Sequence, residues 1–270
     1  MCTATSLSSP PLSLPKPLRL AVALAALGLA GAAQAGTLHV AAAASMTDAM
    51  NEAIETYTAE HDDVDIVPVY ASSSTLARQI ASGSPAEVYV SANQKWMDWL
   101  EDEGVNVEQR VDLLQNRLAL VAPANEAGGD FTPGESGKLA GLLDDGERLA
   151  VGDPDHVPAG IYARQAFEAL GEWDALAPRL ARASDVRSAL ALVERGETPA
   201  GVVYQTDARA SDGVTTLGLF PLATHDAIVY PAAVIDAEDS DEASAFRAWL
   251  EGDEAVGIFE GYGFASALDR

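Results

Sequence analysis

The chain has 270 residues, of which 48% are hydrophobic, and it carries 41 acidic against 16 basic residues, a net charge of −25 at pH 7. A chain of this length can bury one large core or two modest ones. So negative a surface makes nucleic acids and anionic membranes poor partners, and it is typical of a heavily hydrated protein adapted to salt.

Residues 1–35 have the layout of a secretory signal peptide. They hold Lys16 and Arg19 but no acidic residue, and the apolar run 20–33 leads to the small-residue triplet Ala33-Gln34-Ala35. This order predicts cleavage before Gly36 and secretion of the mature chain. The run is short for a membrane span, and no later stretch reaches about 18 uninterrupted apolar residues, so the mature chain is expected to be soluble.

The only cysteine, Cys2, precedes the apolar run. A lipid-anchored protein would need its cysteine at the far end of that run, at the cleavage site, so no lipid anchor is predicted. The mature chain is then expected to contain no disulfide and no cysteine metal site. Removal of Lys16 and Arg19 with the peptide leaves 14 basic residues (16 minus 2) against 41 acidic ones, a net charge of −27.

From Thr37 onward, short runs of Val, Ile, Leu and Ala alternate with helical patterns, which is typical of βαβ units and mainly parallel sheets. Strands are predicted at 37–43, 64–71, 87–91, 117–123, 148–152, 200–204 and 227–235. One helix is predicted from the apolar spacing of Met46, Ala49, Met50, Ala53, Ile54 and Tyr57. Others are predicted near 94–103, 158–170, 185–195 and 241–250, with helix-ending glycines at Gly171 and Gly196. Residues 124–138 read as a surface loop.

Four predicted turns between a strand and a helix begin with residues that suit a helix N-terminus. At the first of them, Asp48 follows three residues after a serine and is a candidate capping-box partner. At the third, a proline at the first helical position leaves the next two amides free. The four turns lie at Ser45, at Ser72-Ser73-Ser74-Thr75, at Pro158 with Ala159 and Gly160, and at Ser184 before Asp185-Val186-Arg187.

These turns can bind an anion without cationic side chains if they converge. Each helix N-terminus carries unpaired N–H groups and about half a positive charge, and serine hydroxyls can donate further hydrogen bonds. Such dipoles at contact range outweigh distant surface charges, which salt screens within ~10 Å. Ligands of open α/β folds gather at the carboxyl ends of strands, where all four turns lie. Taken singly, each serine is more often an ordinary N-cap.

Long strings of residues occur in a fixed order along nearly the whole mature chain. They include Ala42-Ala43-Ala44-Ser45, Tyr70-Ala71-Ser72-Ser73-Ser74-Thr75-Leu76-Ala77-Arg78-Gln79-Ile80, Gly152-Asp153-Pro154-Asp155-His156-Val157-Pro158-Ala159-Gly160, Asp185-Val186-Arg187 and Gly201-Val202-Val203-Tyr204. These strings closely resemble the periplasmic molybdate-binding proteins of bacterial ABC transporters. The resemblance implies an α/β, two-lobed periplasmic binding protein, type II-like, in which each lobe is a mainly parallel sheet flanked by helices and the chain crosses over twice.

The resemblance also implies a set of ligand-binding residues. In that family an oxyanion is held by two serines, by backbone amides of the second lobe and by one tyrosine hydroxyl. Matched residue by residue, these positions are Ser45, Ser73, the amides of Ala159 and Val186, and the hydroxyl of Tyr204. Molybdate would be bound through its oxygens, with no direct metal ligands. Because none of the five is charged, the all-donor set suits a fully deprotonated dianion such as molybdate, tungstate or sulfate.

The function implied by the resemblance is capture of molybdate, and of tungstate as well, for an ABC importer with a membrane permease and a cytoplasmic ATPase. A receptor for another tetrahedral oxyanion such as sulfate is the alternative. The chain is expected to be a monomer that needs no cofactor. Lobe one is assigned to 36–116 with 229–270 and lobe two to 117–228, so that the anion bridges the lobes and favours the closed form.

Two other classes of function are weaker interpretations. Serines near His156 and Asp153 suggest a nucleophile triad, yet the chain lacks a Gly-x-Ser-x-Gly elbow, so it is not expected to be an enzyme. The four histidines are scattered without ligand spacing, and the acidic run 236–242 lacks the glycine and spacing of a calcium loop. The acidic residues near the proposed amides are expected to face away from the anion; they are Asp153, Asp155 and Asp185.

Overall fold

A computed structural model of the chain describes residues 36–125, 131–236 and 241–268. The predicted signal peptide with Cys2 lies outside these residues, as do parts of the predicted loop 124–138 and of the acidic run 236–242. Within the described ranges, no helix is long and apolar enough to cross a bilayer.

Strands and helices alternate along the described residues, as the hydrophobic pattern predicts. The strands are β1 (Gly36–Ala43), β2 (Val64–Ala71), β3 (Val88–Val90), β4 (Val107–Asn116), β5 (Leu118–Pro123), β6 (Leu149–Gly152), β7 (Leu180–Ala183), β8 (Ala200–Tyr204), β9 (Val214–Leu219), β10 (Ile228–Ile235) and β11 (Ala265–Ser266). The helices are α1 (Thr47–Glu60), α2 (Ser73–Ala81), α3 (Gln94–Asp102), α4 (Pro158–Ala169), α5 (Trp173–Leu176), α6 (Val186–Glu194), α7 (Gln205–Arg209), α8 (Asp241–Trp249) and α9 (Asp253–Gly261).

The strands form two sheets, and the chain passes between them twice. The first sheet has the order β11-β4-β10-β3-β1-β2 and the second the order β7-β6-β8-β5-β9. The chain leaves the first sheet between β4 and β5, where only Arg117 separates the two strands, and it returns between β9 and β10. This arrangement of two sheets flanked by helices agrees with the predicted fold class, including its two crossovers.

The sheets are mixed, which corrects the expectation that they are mainly parallel. Strands β2, β1 and β3 are parallel, as are β7, β6 and β8, whereas β10 and β4 in one sheet and β5 and β9 in the other run antiparallel to their neighbours. The crossovers explain the reversal. Strand β5 begins opposite Tyr204, the last residue of β8. The chain therefore enters the second sheet at the carboxyl ends of its parallel strands, and β5 runs antiparallel to them.

The first sheet is buried on both faces. Leu38, Val40 and Ala42 of β1 lie in the same core as the apolar face of α1, with Met50 and Ala53, while Ala41 lies in a second core that includes side chains of α2 and α3. Burial on both faces accounts for strands that read as continuous apolar runs. Each fully buried Leu or Met side chain contributes about 1.5–3 kcal/mol.

The predicted strands agree with the structure to within a residue or two, but several elements were missed. Strand β4 carries the polar sequence Glu108-Gln109-Arg110 and a positive φ of 51° at Gln109, so it lacks a strand pattern. Helix α9 contains two glycines, which favour turns over helices. The two predicted helix-ending glycines are confirmed, because Gly171 and Gly196 have φ of 69° and 66°.

Candidate functional site

The five residues that the sequence predicts as ligand-binding all line one cavity. It is small, with a volume of about 10 Å³, and lies at the carboxyl ends of β1, β2, β6 and β8. No charged side chain lines it among the described residues. Pockets for drug-sized ligands occupy roughly 300–1,000 Å³, so a cavity of this size suits a small, compact ligand.

Ser45 lies in a single 3-10 turn, Ala44–Met46, that joins β1 to α1. The residue is only 3% exposed, and its Oγ is 2.9 Å from the hydroxyl of Tyr230. The capping box predicted with Asp48 is wrong, because neither the 3-10 turn nor α1 has a side-chain cap. The extra turn places Ser45 two residues ahead of the helix, and Asp48 instead pairs with Arg187 Nη2 at 2.7 Å.

Ser73 is the first residue of α2 and is 1% exposed. Its neighbour Ser72 is the N-cap, which accepts a hydrogen bond from the Thr75 amide. Ser73 Oγ accepts a hydrogen bond of 2.9 Å from the backbone amide of Ala92. Because the capping role is filled by Ser72, the hydroxyl of Ser73 keeps its proton for another acceptor in the cavity.

At Ala159 the predicted contact is through a backbone group rather than a side chain. It is the second residue of α4, after Pro158, and this helix has no side-chain cap. The amides of a first helical turn have no partner inside the helix. A close contact sets the position of this turn: a Cβ on Gly160 would overlap the carbonyl oxygen of Gly152 at the end of β6. Only glycine allows the helix start to approach the strand so closely.

Val186 opens α6 in the same way, with a free first-turn amide. The N-cap of this helix is Asp185 and not Ser184, and Asp185 accepts a hydrogen bond of 2.8 Å from the Ser188 amide.

Asp153 and Asp155 pair with Arg182, and none of the three aspartates, Asp153, Asp155 and Asp185, lines the cavity. Their carboxylates are therefore held by the loops and the helix start, as expected from the sequence.

Tyr204 is the last residue of β8 and is 1% exposed. Its hydroxyl makes no hydrogen bond of good geometry with the described residues. The ring of Tyr230 contacts it edge-on, with centroids 5.9 Å apart. Burial, and after it the neighbouring Tyr230, raises the pKa of Tyr204 well above its usual value. The group therefore remains a protonated hydroxyl that can donate a hydrogen bond to a ligand.

Polar contacts connect the elements of the two sheets around the cavity. Ser74 Oγ lies 3.1 Å from His156 Nδ1, and the indole N–H of Trp96 donates to the His156 carbonyl at 2.8 Å. Arg187 lies between two carboxylates, Asp48 and Asp207, each 2.7 Å from one of its nitrogens. Three connections thus join the N-termini of α1, α2 and α3 to those of α4 and α6.

Sequence reasoning missed the residues behind the cavity. Tyr230 and Asn116 connect to Ser45, and Asp207 is a fully buried carboxyl whose pKa is raised to about 7 by burial, against the lowering effect of Arg187. Asp207 also accepts a 3.2 Å hydrogen bond from the Tyr204 amide, three residues before it. The spacing of three residues between Tyr204 and Asp207, as in a capping box, was the one signal in the sequence that could have identified Asp207. The other contacts join residues far apart in sequence.

The described residues contain no group of three or more His, Cys, Asp or Glu side chains that could hold a metal ion directly. The donors that line the cavity are hydroxyls and backbone amides instead. Such donors coordinate the oxygens of an anion, not a bare cation.

Comparison with known proteins agrees with this geometry. The family model described as bacterial extracellular solute-binding protein matches residues 38–265. The molybdate-binding protein ModA of Escherichia coli strain K12 is 48% identical over 233 residues, 86% of this chain and 90% of that protein. ModA of Haemophilus influenzae is 42% identical over 247 residues, 91% of this chain and 96% of that protein. The solved periplasmic molybdate-binding protein of Azotobacter vinelandii, 22% identical, has the same fold, with a TM-score of 0.74 over 86% of this chain and 100% of that chain.

The chain therefore belongs to the bacterial extracellular solute-binding proteins and, among them, to the family of the ModA relatives. The resemblance inferred from its sequence is confirmed, and so is the predicted fold class. Members of this family are binding proteins for transport and not enzymes, as expected. Substrate-binding proteins of ABC importers work together with a membrane permease and an ATPase.

Proposed function

We propose that this chain captures molybdate in the periplasm and delivers it to the permease of an ABC importer. The observation that supports this function best is the convergence of Ser45, Ser73, Ala159, Val186 and Tyr204 on one uncharged cavity. The 48% identity to a protein named for molybdate binding supports the choice of ligand.

The chemistry of the donors favours a dianion. The two serine hydroxyls, the Tyr204 hydroxyl and two helix-start amides all donate hydrogen bonds, and the helix dipoles add positive potential. A site for hydrogen phosphate gains from a carboxylate that accepts the ligand's proton, and no carboxylate lines this cavity among the described residues. Tungstate has the same charge and shape as molybdate, so we propose that it binds as well. Sulfate is the alternative ligand, and it differs mainly in size.

We further propose that the anion bridges two lobes, 36–116 with 229–270 and 117–228. In support, β1–β4, β10 and β11 form one sheet and β5–β9 the other. Ser45 and Ser73 follow strands of the first sheet, while the other three donors follow strands of the second. A ligand held from both sides favours the closed form, which the permease would recognise before ATP hydrolysis drives release. Export by a cleaved signal peptide at 1–35 and a monomeric state complete the proposal.

Isothermal titration calorimetry on the mature chain tests this function. The protein that begins at Gly36 is titrated with molybdate, tungstate, sulfate and phosphate at near-physiological salt. We expect tight one-to-one binding of molybdate and tungstate, with sulfate and phosphate weak or silent. Tighter binding of sulfate would support the alternative receptor, and silence from all four anions would overturn the function.

Tryptophan fluorescence tests the closure. Because the indole N–H of Trp96 is bonded to His156 across the two sheets, the emission of Trp96 should change when molybdate is added. The Trp96→Phe variant should lose most of this signal, whereas Trp173→Phe is the matched control and should keep it. A signal that survives Trp96→Phe unchanged would contradict the assignment of this contact to closure.

A further inference from the structure

A line of hydrogen bonds runs from the crossover between the sheets to Ser45. The Arg117 amide donates to Asn116 Oδ1 at 2.8 Å, and Asn116 Nδ2 donates to the Tyr230 hydroxyl at 3.2 Å. The Tyr230 hydroxyl in turn lies 2.9 Å from Ser45 Oγ. All of these side chains are buried. The line therefore connects a ligand-binding hydroxyl with the backbone of the crossover.

The direction of the first two bonds in this line follows from which groups can only donate. A backbone N–H is a donor, so it fixes Oδ1 of Asn116 as the acceptor and turns Nδ2 towards Tyr230 and Thr206, the latter at 2.9 Å. Because Nδ2 also can only donate, the Tyr230 oxygen accepts from it, and the single Tyr230 proton can be donated to Ser45 Oγ, 2.9 Å away. When Tyr230 donates in this bond, Ser45 accepts from it and has its own proton left for the cavity.

The second serine is oriented in the same sense by a different group. Ser73 Oγ accepts a hydrogen bond from the Ala92 amide, and a backbone N–H can only donate. When Tyr230 donates to Ser45, both serines accept a hydrogen bond from behind and can direct their own protons into the cavity. For Ser73 the donor of that bond is backbone, and for Ser45 it is a side chain that can be replaced.

We propose that Tyr230 and Asn116 are positioning residues that hold Ser45 as a hydrogen-bond donor and thereby set the preference of the site for fully deprotonated oxyanions. This inference rests on the proposed oxyanion function. Burial, together with the nearby Asp207, raises the pKa of Tyr230 well above its usual value, so its proton stays in place at physiological pH. A hydrogen phosphate ion carries an O–H that needs an acceptor, and a serine held as a donor does not provide one.

Removal of the Tyr230 hydroxyl would release Ser45. In Tyr230→Phe the serine can rotate and accept a hydrogen bond as well as donate one. Molybdate should then bind roughly fivefold more weakly, because one neutral hydrogen bond no longer orients its donor. Hydrogen phosphate should lose less affinity than molybdate or gain some, so the ratio of the two dissociation constants should shift towards phosphate.

A double-mutant cycle separates this role from a general effect on packing. Dissociation constants for molybdate, and for hydrogen phosphate by competition at pH 8, are measured for wild type, Tyr230→Phe, Ser45→Ala and the double variant. If Tyr230 acts through Ser45, its substitution should change molybdate affinity less than about twofold in the Ser45→Ala background. Tyr162→Phe is the matched control, because its buried hydroxyl faces the Ala227 carbonyl at 3.5 Å, and it should leave the ratio unchanged.

Thermal melts check that each variant is folded. If Tyr230→Phe does not fold, Asn116→Leu, at the other end of the line of hydrogen bonds, replaces it in the cycle. Asn116→Leu should weaken molybdate binding in the wild-type background but not in the Ser45→Ala background. An equal loss in both backgrounds, or an unchanged ratio of phosphate to molybdate affinity, would overturn the positioning role while leaving the proposed function intact. Failure of the wild type to bind any of the four anions would overturn both.

Discussion

The two walls of the cavity use different parts of the chain. On the side of the first sheet, Ser45 and Ser73 present side-chain hydroxyls, each with a hydrogen-bond partner behind it. On the side of the second sheet, Ala159 and Val186 contribute backbone amides at helix starts. The first wall depends on which residues occupy two positions, whereas the second depends on where two helices begin. Substitutions should therefore affect the two walls by different routes.

The largest loss of binding is expected from the first wall. The double variant Ser45→Ala with Ser73→Ala removes two hydroxyl donors to a charged ligand, each worth about 1.5–3 kcal/mol. Molybdate affinity should fall by roughly 100-fold, less than full additivity would give, because the two hydroxyls share one ligand and their contributions are coupled. Calorimetry measures the change. Ser82→Ala is the control, since this hydroxyl caps the far end of α2 by bonding to the Arg78 carbonyl. Unchanged affinity in the double variant would refute the site.

The donors of the second wall are backbone amides, which a substitution cannot remove. A substitution that moves the backbone should weaken binding there instead. Gly160→Ala places a methyl group against the Gly152 carbonyl and must push the first turn of α4 away from β6. We expect a loss of stability of about 1–3 kcal/mol and at least a tenfold loss of molybdate affinity, as the Ala159 amide moves with the turn. The measurements are thermal melts and calorimetry.

The control for that substitution lies in another helix. Gly257→Ala, in α9, meets no atom within 4 Å and should be neutral or slightly stabilising. If Gly160→Ala destabilises the protein but leaves molybdate affinity unchanged, the amide of Ala159 does not contribute to binding.

The difference between the walls also explains what could be predicted from the sequence. Apolar runs and helix-start residues were enough to predict seven strands and to single out Ser45, Ser73, Ala159 and Val186 as anion-binding candidates. These signals are local, because a strand, a turn and a helix start follow one another in the chain. Tyr204 was found only through the resemblance, since an aromatic residue at the end of a buried strand is usually part of the core.

Contacts between distant parts of the chain could not be predicted. Ser45 and Tyr230 are 185 residues apart, and Asn116 and Tyr230 are 114 apart. Strands β4 and β9 were missed for a related reason. They are held in place by partners in the sheet, β10 and β5, and not by an apolar pattern of their own.

Behind the second wall, Asp207 should make stability depend on pH. Its pKa in the folded protein, about 7, lies above the value of about 4 of an exposed carboxyl, so the folded state binds this proton more tightly. The contribution to stability is complete below pH 4 and is lost as the pH rises through 7. The unfolding free energy of wild type minus that of Asp207→Asn should fall by about 1–3 kcal/mol between pH 5 and 8 in urea titrations. A difference that stays constant over this range would contradict the raised pKa.

The smallest effect on binding is expected where a second-wall residue keeps its amide and loses only its side chain. Val186→Ala deletes two buried methyl groups, which should cost about 1–3 kcal/mol of stability. The helix start is still capped by Asp185, so the amide should stay in place and molybdate affinity should change less than about threefold. Urea titration and calorimetry on the same sample measure both quantities. A loss of affinity as large as that of Ser45→Ala alone would mean that the Val186 side chain, and not the position of the amide, shapes this wall.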